Sequence, residues 1–388
     1  MDTATLYDDL RRAIADGGPL LAIDRLCERL AAAEDFQALF YAKLLRKRVE
    51  LGVSPFPTGP SSEVPVEGQS AYEDAIRDAG RSVGRAYLDR NQLAKAWGYF
   101  RMLDEPEPVR EYLDRFQPGP EDDTYGAVEI AWQHGVHPKK GLDIVLDRHG
   151  ICSAITMVGG TDLTKNPELR DYCVKRLVRS LHGQLKDRLA GDLAGRDKPV
   201  DANASIAEIV AGADELFADD AYHIDISHLS SVVQMSLQLP ACDELALARD
   251  LAAYGEKLSA NLQGDRHAPF DRGYSDFAIY LDILAGRNVD EGLDHFERKL
   301  PYAAEIGDTF PAEVFVNLLL RLDRTPQALA VAQQYLNDPD GRELSCPSIA
   351  ELARRANDYS ALAASAQATE DPVLFLAGLI AERQQSSR

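Results

Sequence analysis

Val83-Gly84-Arg-Ala-Tyr87-Leu-Asp-Arg-Asn91-Gln-Leu-Ala-Lys-Ala96-Trp-Gly-Tyr-Phe100-Arg-Met-Leu103-Asp-Glu-Pro-Glu-Pro108 is the stretch that decides the fold. Apolar and small residues recur at helical spacing on both sides of Asn91, a residue that tolerates the tight turn between two helices. Gly84 and Ala96 carry little or no side chain, so two antiparallel helices can approach closely. Phe100 and Leu103 continue the apolar spacing on the second side.

Upstream of this hairpin, residues 3–16 and 19–33 carry apolar positions three and four apart, among them Leu20, Ile23, Leu26, Cys27 and Leu30. They predict two amphipathic helices, followed by a third from about Asp35 to Leu51. Pro55, Pro57, Pro60 and Pro65 then crowd the segment between Gly52 and Gly68, which predicts an extended connection. Downstream, Gly292 and Phe296, then Ala328 and Ala332, then Leu362 and Ala366 mark equivalent positions at offsets of thirty-six and thirty-four residues. That period predicts three stacked helix pairs between about 273 and 383.

On these residues the chain resembles the tetratricopeptide repeats, most clearly at 83–108 and more loosely at 273–383. The resemblance implies an all-α fold of helical hairpins stacked as an α-solenoid, with each small residue of the motif admitting its partner helix. Gly80 stands where that family usually has a tryptophan. The expected organisation is N-terminal helices at 1–52, a proline-rich linker at 53–68, tetratricopeptide-like helices at 69–118, a histidine-rich central module at 119–240 and C-terminal repeats at 241–388.

Between Pro118 and Pro240 the repeat pattern lapses. Helices are expected at 122–134, 138–149, 167–196, 205–217 and 227–239, with Tyr222 to Ile226 as the one candidate strand. The long helix carries Leu169, Cys173, Leu177, Leu181, Leu185 and Leu189 at a spacing of four, the pattern of a buried face.

A formal charge of −21 makes polyanions, whether nucleic acid or an anionic membrane surface, unfavourable partners. No basic stripe interleaved with aromatics offsets it. The N-terminus has no secretory signal pattern, no apolar run spans a bilayer, and the five cysteines are odd in number and widely spaced. These features predict a cytoplasmic protein with reduced thiols.

Six of the eight histidines lie between His134 and His228. Imidazole is the commonest metal ligand and the usual acid–base group near neutrality, so the concentration marks a place for chemistry. His134, His137 and His149 stand beside Gly135, Pro138 and Gly150, as residues at helix ends do. His149 also forms a His-x-x-Cys pair with Cys152, a spacing that can place both on one metal. His182 falls beside the buried leucine row. In His223-Ile-Asp225-Ile-Ser-His228 two imidazoles and a carboxylate can converge, although Asp225 or Ser227 equally suits a helix N-cap. Ser205 and Glu208 fit a capping box. No phosphate-binding loop is present: Gly159-Gly160-Thr161 lacks the lysine such a loop needs.

Two functions follow as expectations. One is a helical repeat scaffold that binds a protein or peptide partner, for which a basic or amphipathic segment would suit the acidic chain. The other is a metal-dependent hydrolase or oxidase that draws zinc or iron ligands from His149, Cys152, His182, His223, Asp225 and His228. A thiol enzyme with Cys152 as nucleophile and His182 or His223 as base is a third, which requires the cysteine to be partly exposed.

Overall fold

Gly18 breaks the first helical run: at φ 81° it leaves helical geometry just before Pro19, dividing Thr3–Ala32 (α1) where the sequence predicts a gap between two helices. Residues 3–56, 63–198, 200–201, 203–264, 266–336 and 344–386 are described by a computed structural model. Pro57 and Pro60 of the expected linker lie outside them. Among the described residues the regular elements are twenty α-helices with short π and 3-10 turns, and no strand. Tyr222 to Asp225 is irregular chain leading into a helix. The chain divides into two compact units, residues 1–154 and 155–388.

In the first unit Phe36–Glu50 (α2) starts at Asp35, whose carboxylate accepts the Ala38 amide at 3.1 Å. Val66–Leu88 (α3) and Leu93–Leu103 (α4) form the hairpin read from the sequence, with Asn91 at φ 55° in the turn. Each of α1 to α3 packs against the helix that follows it. Val83, Ala96 and Phe100 are fully buried at the hairpin contact. A Cβ on Gly84 would lie 2.7 Å from Phe100, and one on Gly80 3.1 Å from Leu103. Gly80 therefore leaves to Leu103 the space that a larger residue would fill.

Glu107–Arg115 (α5) leads to Tyr125–Val128 (α6), which widens into a π turn at Glu129–Gln133, so the helix expected over 122–134 is shorter and differently wound. The widening falls where Gly141 of Pro138–Arg148 (α7) sits against Ala131 and Trp132; a Cβ there would lie 3.3 Å and 3.2 Å from their Cβ atoms. Gly150–Gly159 (α8) is a helix the sequence reading passed over. Its signal is present: Ile151, Ala154, Ile155 and Val158 follow helical spacing and all are buried.

The second unit is organised on Pro167–Gly195 (α9). Asn166 caps it, and Leu177, Leu185 and Leu189 are wholly buried, with Leu181 1% exposed. Ile226–Ser236 (α11) and Glu244–Lys257 (α12) pack on α9, and Ile206–Ala211 (α10) packs on α12. The helix expected at 205–217 stops at Gly212 and resumes as a 3-10 segment over Asp214–Asp220.

The three pairs expected toward the C-terminus are Tyr274–Leu284 with Val289–Glu297 (α13, α14), Phe310–Arg321 with Thr325–Tyr335 (α16, α17), and Ile349–Ala356 with Tyr359–Ala368 (α18, α19). Leu300–Glu305 (α15) lies between the first two pairs, and Pro372–Ser386 (α20) packs on α19. Ala328, Ala332 and Ala366 are wholly buried, and a Cβ on Gly292 would lie 2.6 Å from Ile283.

Close approach at Gly84 predicts a contrast with Gly98 of α4, around which a Cβ would meet nothing within 4 Å. Gly84→Val is expected to cost about 1–3 kcal/mol through overpacking. Gly98→Ala is expected to gain roughly 0.5–1 kcal/mol from reduced backbone entropy in the unfolded chain. Urea melts of the two variants check this, and equal responses would remove the close-approach account.

Candidate binding groove

The metal reading draws three or four ligands of one ion from six residues, with one more to orient them. Among the described residues no group of three or more His, Cys, Asp or Glu side chains is arranged to hold a metal ion. His149 and Cys152 belong to the first unit, whereas His182, His223, Asp225 and His228 belong to the second. Within the second unit His182 pairs with Asp250, His223 with Asp192, and Asp225 with the start of Ile226–Ser236, so these three take separate partners.

His149 ends α7 as its C-cap, and its Nε2 lies 2.8 Å from the hydroxyl of Thr124, which is 3% exposed. Cys152 is exposed on α8. His137 caps α7 at its N-terminus, accepting the Lys140 amide, while its Nε2 lies 2.6 Å from Asp114. His134 follows the π turn with its ring against Trp97.

His182 projects from α9 to Asp250 of α12, with 3.1 Å between Nε2 and Oδ2. The same carboxylate accepts the Ile206 amide at 3.1 Å and the Ala207 amide at 3.4 Å, so it serves the N-terminus of α10. Burial raises the Asp250 carboxyl, but the His182 hydrogen bond and the two amides together outweigh burial and hold it below the ordinary aspartate range. Ser205 and Glu208 complete the predicted capping box beside it.

Three turns further along α9, His223 occupies a separate site. Its Nε2 lies 3.1 Å from Asp192, its Nδ1 3.2 Å from the Tyr254 hydroxyl, and its backbone N–H donates to that hydroxyl at 2.7 Å. Burial pushes the Tyr254 phenol up to about 12. His182 and Asp192 are ten residues apart on one helix, a separation of about 15 Å along its axis. Asp225 takes the capping role: its carboxylate accepts from Ser227 N at 2.8 Å, Ser227 Oγ at 2.6 Å and His228 N at 3.4 Å. These contacts lower its pKa, and His228 stands in the first turn of α11.

A wide concavity lies elsewhere in the second unit. It is a groove of about 1360 Å3 between the C-terminal end of α11, the outer residues of α13 and α16, and the chain around Ser345. Phe270, Phe277, Tyr280 and Phe310 make it aromatic, and Met235 and Val314 add aliphatic surface. Phe270 and Phe277 lie 4.7 Å apart, centroid to centroid, and Phe310 is 44% exposed. The first unit has clefts of about 930 and 560 Å3 beside α4, lined in part by Tyr112 and Phe116 and by Trp97.

A buried ionic cluster fixes that wall. Asp276, in the first turn of α13, is 0% exposed and accepts from Lys299 Nζ and the Arg272 amide at 2.7 Å each, and its Oδ1 lies 2.7 Å from His295 Nε2. Lys299 gives its two other hydrogens to Pro269 O and Asp271 Oδ1, both at 2.6 Å, so all three ammonium donors are used. Burial would raise the Asp271 carboxyl, and the Lys299 hydrogen bond and charge more than reverse it. Phe270 lies between these two anchor points and is held facing Phe277. On the opposite side Glu313, 3% exposed, accepts the Ser345 amide at 2.8 Å and the Ser345 hydroxyl at 2.7 Å, tying that chain segment to α16.

Sequence reasoning missed Asp276, His295, Lys299, Asp250, Asp192 and Tyr254. Their partners lie tens of residues away, so no local spacing marks them. An aspartate in the first turn of an otherwise apolar helix, as Asp276 is in Tyr-Ser-Asp-Phe-Ala-Ile, was the one available hint.

Lys299→Met is expected to destabilise the second unit by about 3–5 kcal/mol, because it strands the buried Asp276 carboxylate without its cation; a urea melt reads this. For Asp250→Ala the expected cost is about 1–3 kcal/mol at neutral pH. Its carboxyl is depressed in the folded chain, so the stabilisation is present above the unfolded value and fades as pH falls through the folded one. The gap between variant and parent should therefore narrow in acid; a pH-independent gap would show that the charge contributes nothing. No protein-family profile, curated protein or solved structure matches the chain.

Proposed function

We propose that this chain is a helical repeat scaffold, with hairpins of tetratricopeptide type, and that it binds a protein or peptide partner in the groove of its second unit. The observation that carries this reading is an open, aromatic-walled groove of about 1360 Å3 whose sides are fixed by buried polar anchors. Small-molecule pockets commonly measure about 300–1000 Å3, so this volume suits several residues of a peptide better than one compact ligand. A prearranged wall also lowers the ordering cost of association. The close-packed hairpins at α3–α4 and α13–α14 support the repeat assignment. Thiols buried as Cys173 and Cys346 are suit a reducing compartment, and we place the protein in the cytoplasm.

His137, His182, His223 and His295 each have a ring nitrogen beside a carboxylate within one packed unit, an arrangement that suits them to a structural role. No observed arrangement favours a thiol or metal-dependent reaction over them.

Selection from a random peptide library against the purified protein tests the proposal. Val314 lines the groove from α16 and is only half-buried, so Val314→Trp should block the site without disturbing the core. Selected peptides are expected to bind the parent and to lose about tenfold or more in affinity, or 1.4 kcal/mol, on the variant at unchanged Tm. Equal binding to both proteins would overturn the groove as the site.

A further inference from the structure

The groove differs in charge from the chain that carries it. At −21 overall, the protein as a whole favours cationic partners. Arg170, Arg321 and Arg355 nevertheless line the groove, with Asp171 the one acidic residue of its lining among the described residues. Arg170 and Asp171 pair at 2.9 Å and cancel. Arg355 shares Glu351 with Arg354, so one carboxylate there serves two guanidiniums.

Arg321 is different again. Its guanidinium donates to the backbone carbonyls of Leu237 and Leu239, which are neutral acceptors, and among the described residues it forms no ion pair. Its charge is thus held in place at the groove wall, beside the buried Tyr280, without a carboxylate to offset it. Arg321 and Arg355 thus bring two guanidiniums to the groove, next to Phe277, Tyr280 and Phe310, and only that of Arg355 has a carboxylate partner, the Glu351 it shares with Arg354.

We infer that the segment bound in this groove is acidic and carries aromatic or aliphatic side chains. The inference rests on the peptide-binding reading above and reverses the expectation drawn from net charge alone. Charge at contact range decides the matter: at physiological salt the Debye length is about 8 Å, so the distant acidic surface is largely screened while the arginines lining the groove are not. Apolar side chains of the segment would cover the aromatic wall, and its carboxylates would meet planar guanidiniums suited to bidentate pairing.

The test uses two fluorescein-labelled peptides at physiological ionic strength. One alternates aspartate and glutamate with phenylalanine and leucine; its twin replaces every acid by lysine. Fluorescence anisotropy is expected to show the acidic peptide binding about tenfold or more tighter, with that preference falling several-fold in Arg355→Gln and further in Arg321→Gln. Arg355 is an exposed surface residue, so its variant remains informative even if loss of the Leu237 and Leu239 contacts perturbs folding of the other. Preference for the lysine peptide, or an acidic preference untouched by Arg355→Gln with Arg321→Gln folded and equally indifferent, would overturn the inference. If the lysine peptide binds and Val314→Trp abolishes its binding, the groove stands and only its charge preference falls. If neither peptide binds the parent, the peptide-binding reading fails and this inference fails with it.

Discussion

Helix axes in this chain come close where a side chain is missing. A Cβ would lie 2.7 Å from Phe100 at Gly84, 2.6 Å from Ile283 at Gly292 and 2.4 Å from Tyr274 at Gly255. Real side chains do not tolerate such separations, so each glycine sets how deeply a ring or branched residue of the neighbouring helix can sink. Two of the three contacts join α3 to α4 and α13 to α14, the hairpins that the repeat pattern marks. The third joins α12 to α13, where the irregular helices meet the first C-terminal pair. Packing from one helix to the next within these hairpins depends on such contacts, because a short helix buries much of its apolar face against its chain neighbour.

Where contacts are local, the sequence was legible. The break between 16 and 19, the helix start near Asp35, the hairpin about Asn91, the leucine row of α9 and the three C-terminal pairs all lie within reach of a helical period or a turn residue. The capping role of Asp225 was also visible as one of two readings. The groove was not, because its wall draws on chain from Thr164 to Arg355 and its polar anchors join residues that share no spacing. The lysine that completes the cluster sits beyond the end of α14, and the histidine in it lies outside the stretch to which histidine density draws the eye.

Histidine density proved to reflect many small tasks. Imidazole can offer a donor and an acceptor at once, which suits it to joining a helix terminus or carboxylate on one element to a group on another. His137 joins the start of α7 to Asp114, and His223 joins Asp192 to Tyr254. Counting such residues overstates their convergence: the same composition that can build one centre can also build several independent fasteners.

The hydrogen bonds from Arg321 to Leu237 and Leu239 carry a further consequence for how the chain assembles. They join residues 84 and 82 positions apart, whereas a helical hairpin closes over a few residues. Each doubling of a loop costs about 0.6 kcal/mol in closure entropy, so about four doublings separate these two kinds of contact by roughly 2–3 kcal/mol. Hairpins can therefore form early on local contacts, while the groove must wait until the helices on both of its sides are in place. The groove is thus among the costliest surfaces to assemble, and its integrity reports on completion of the whole unit.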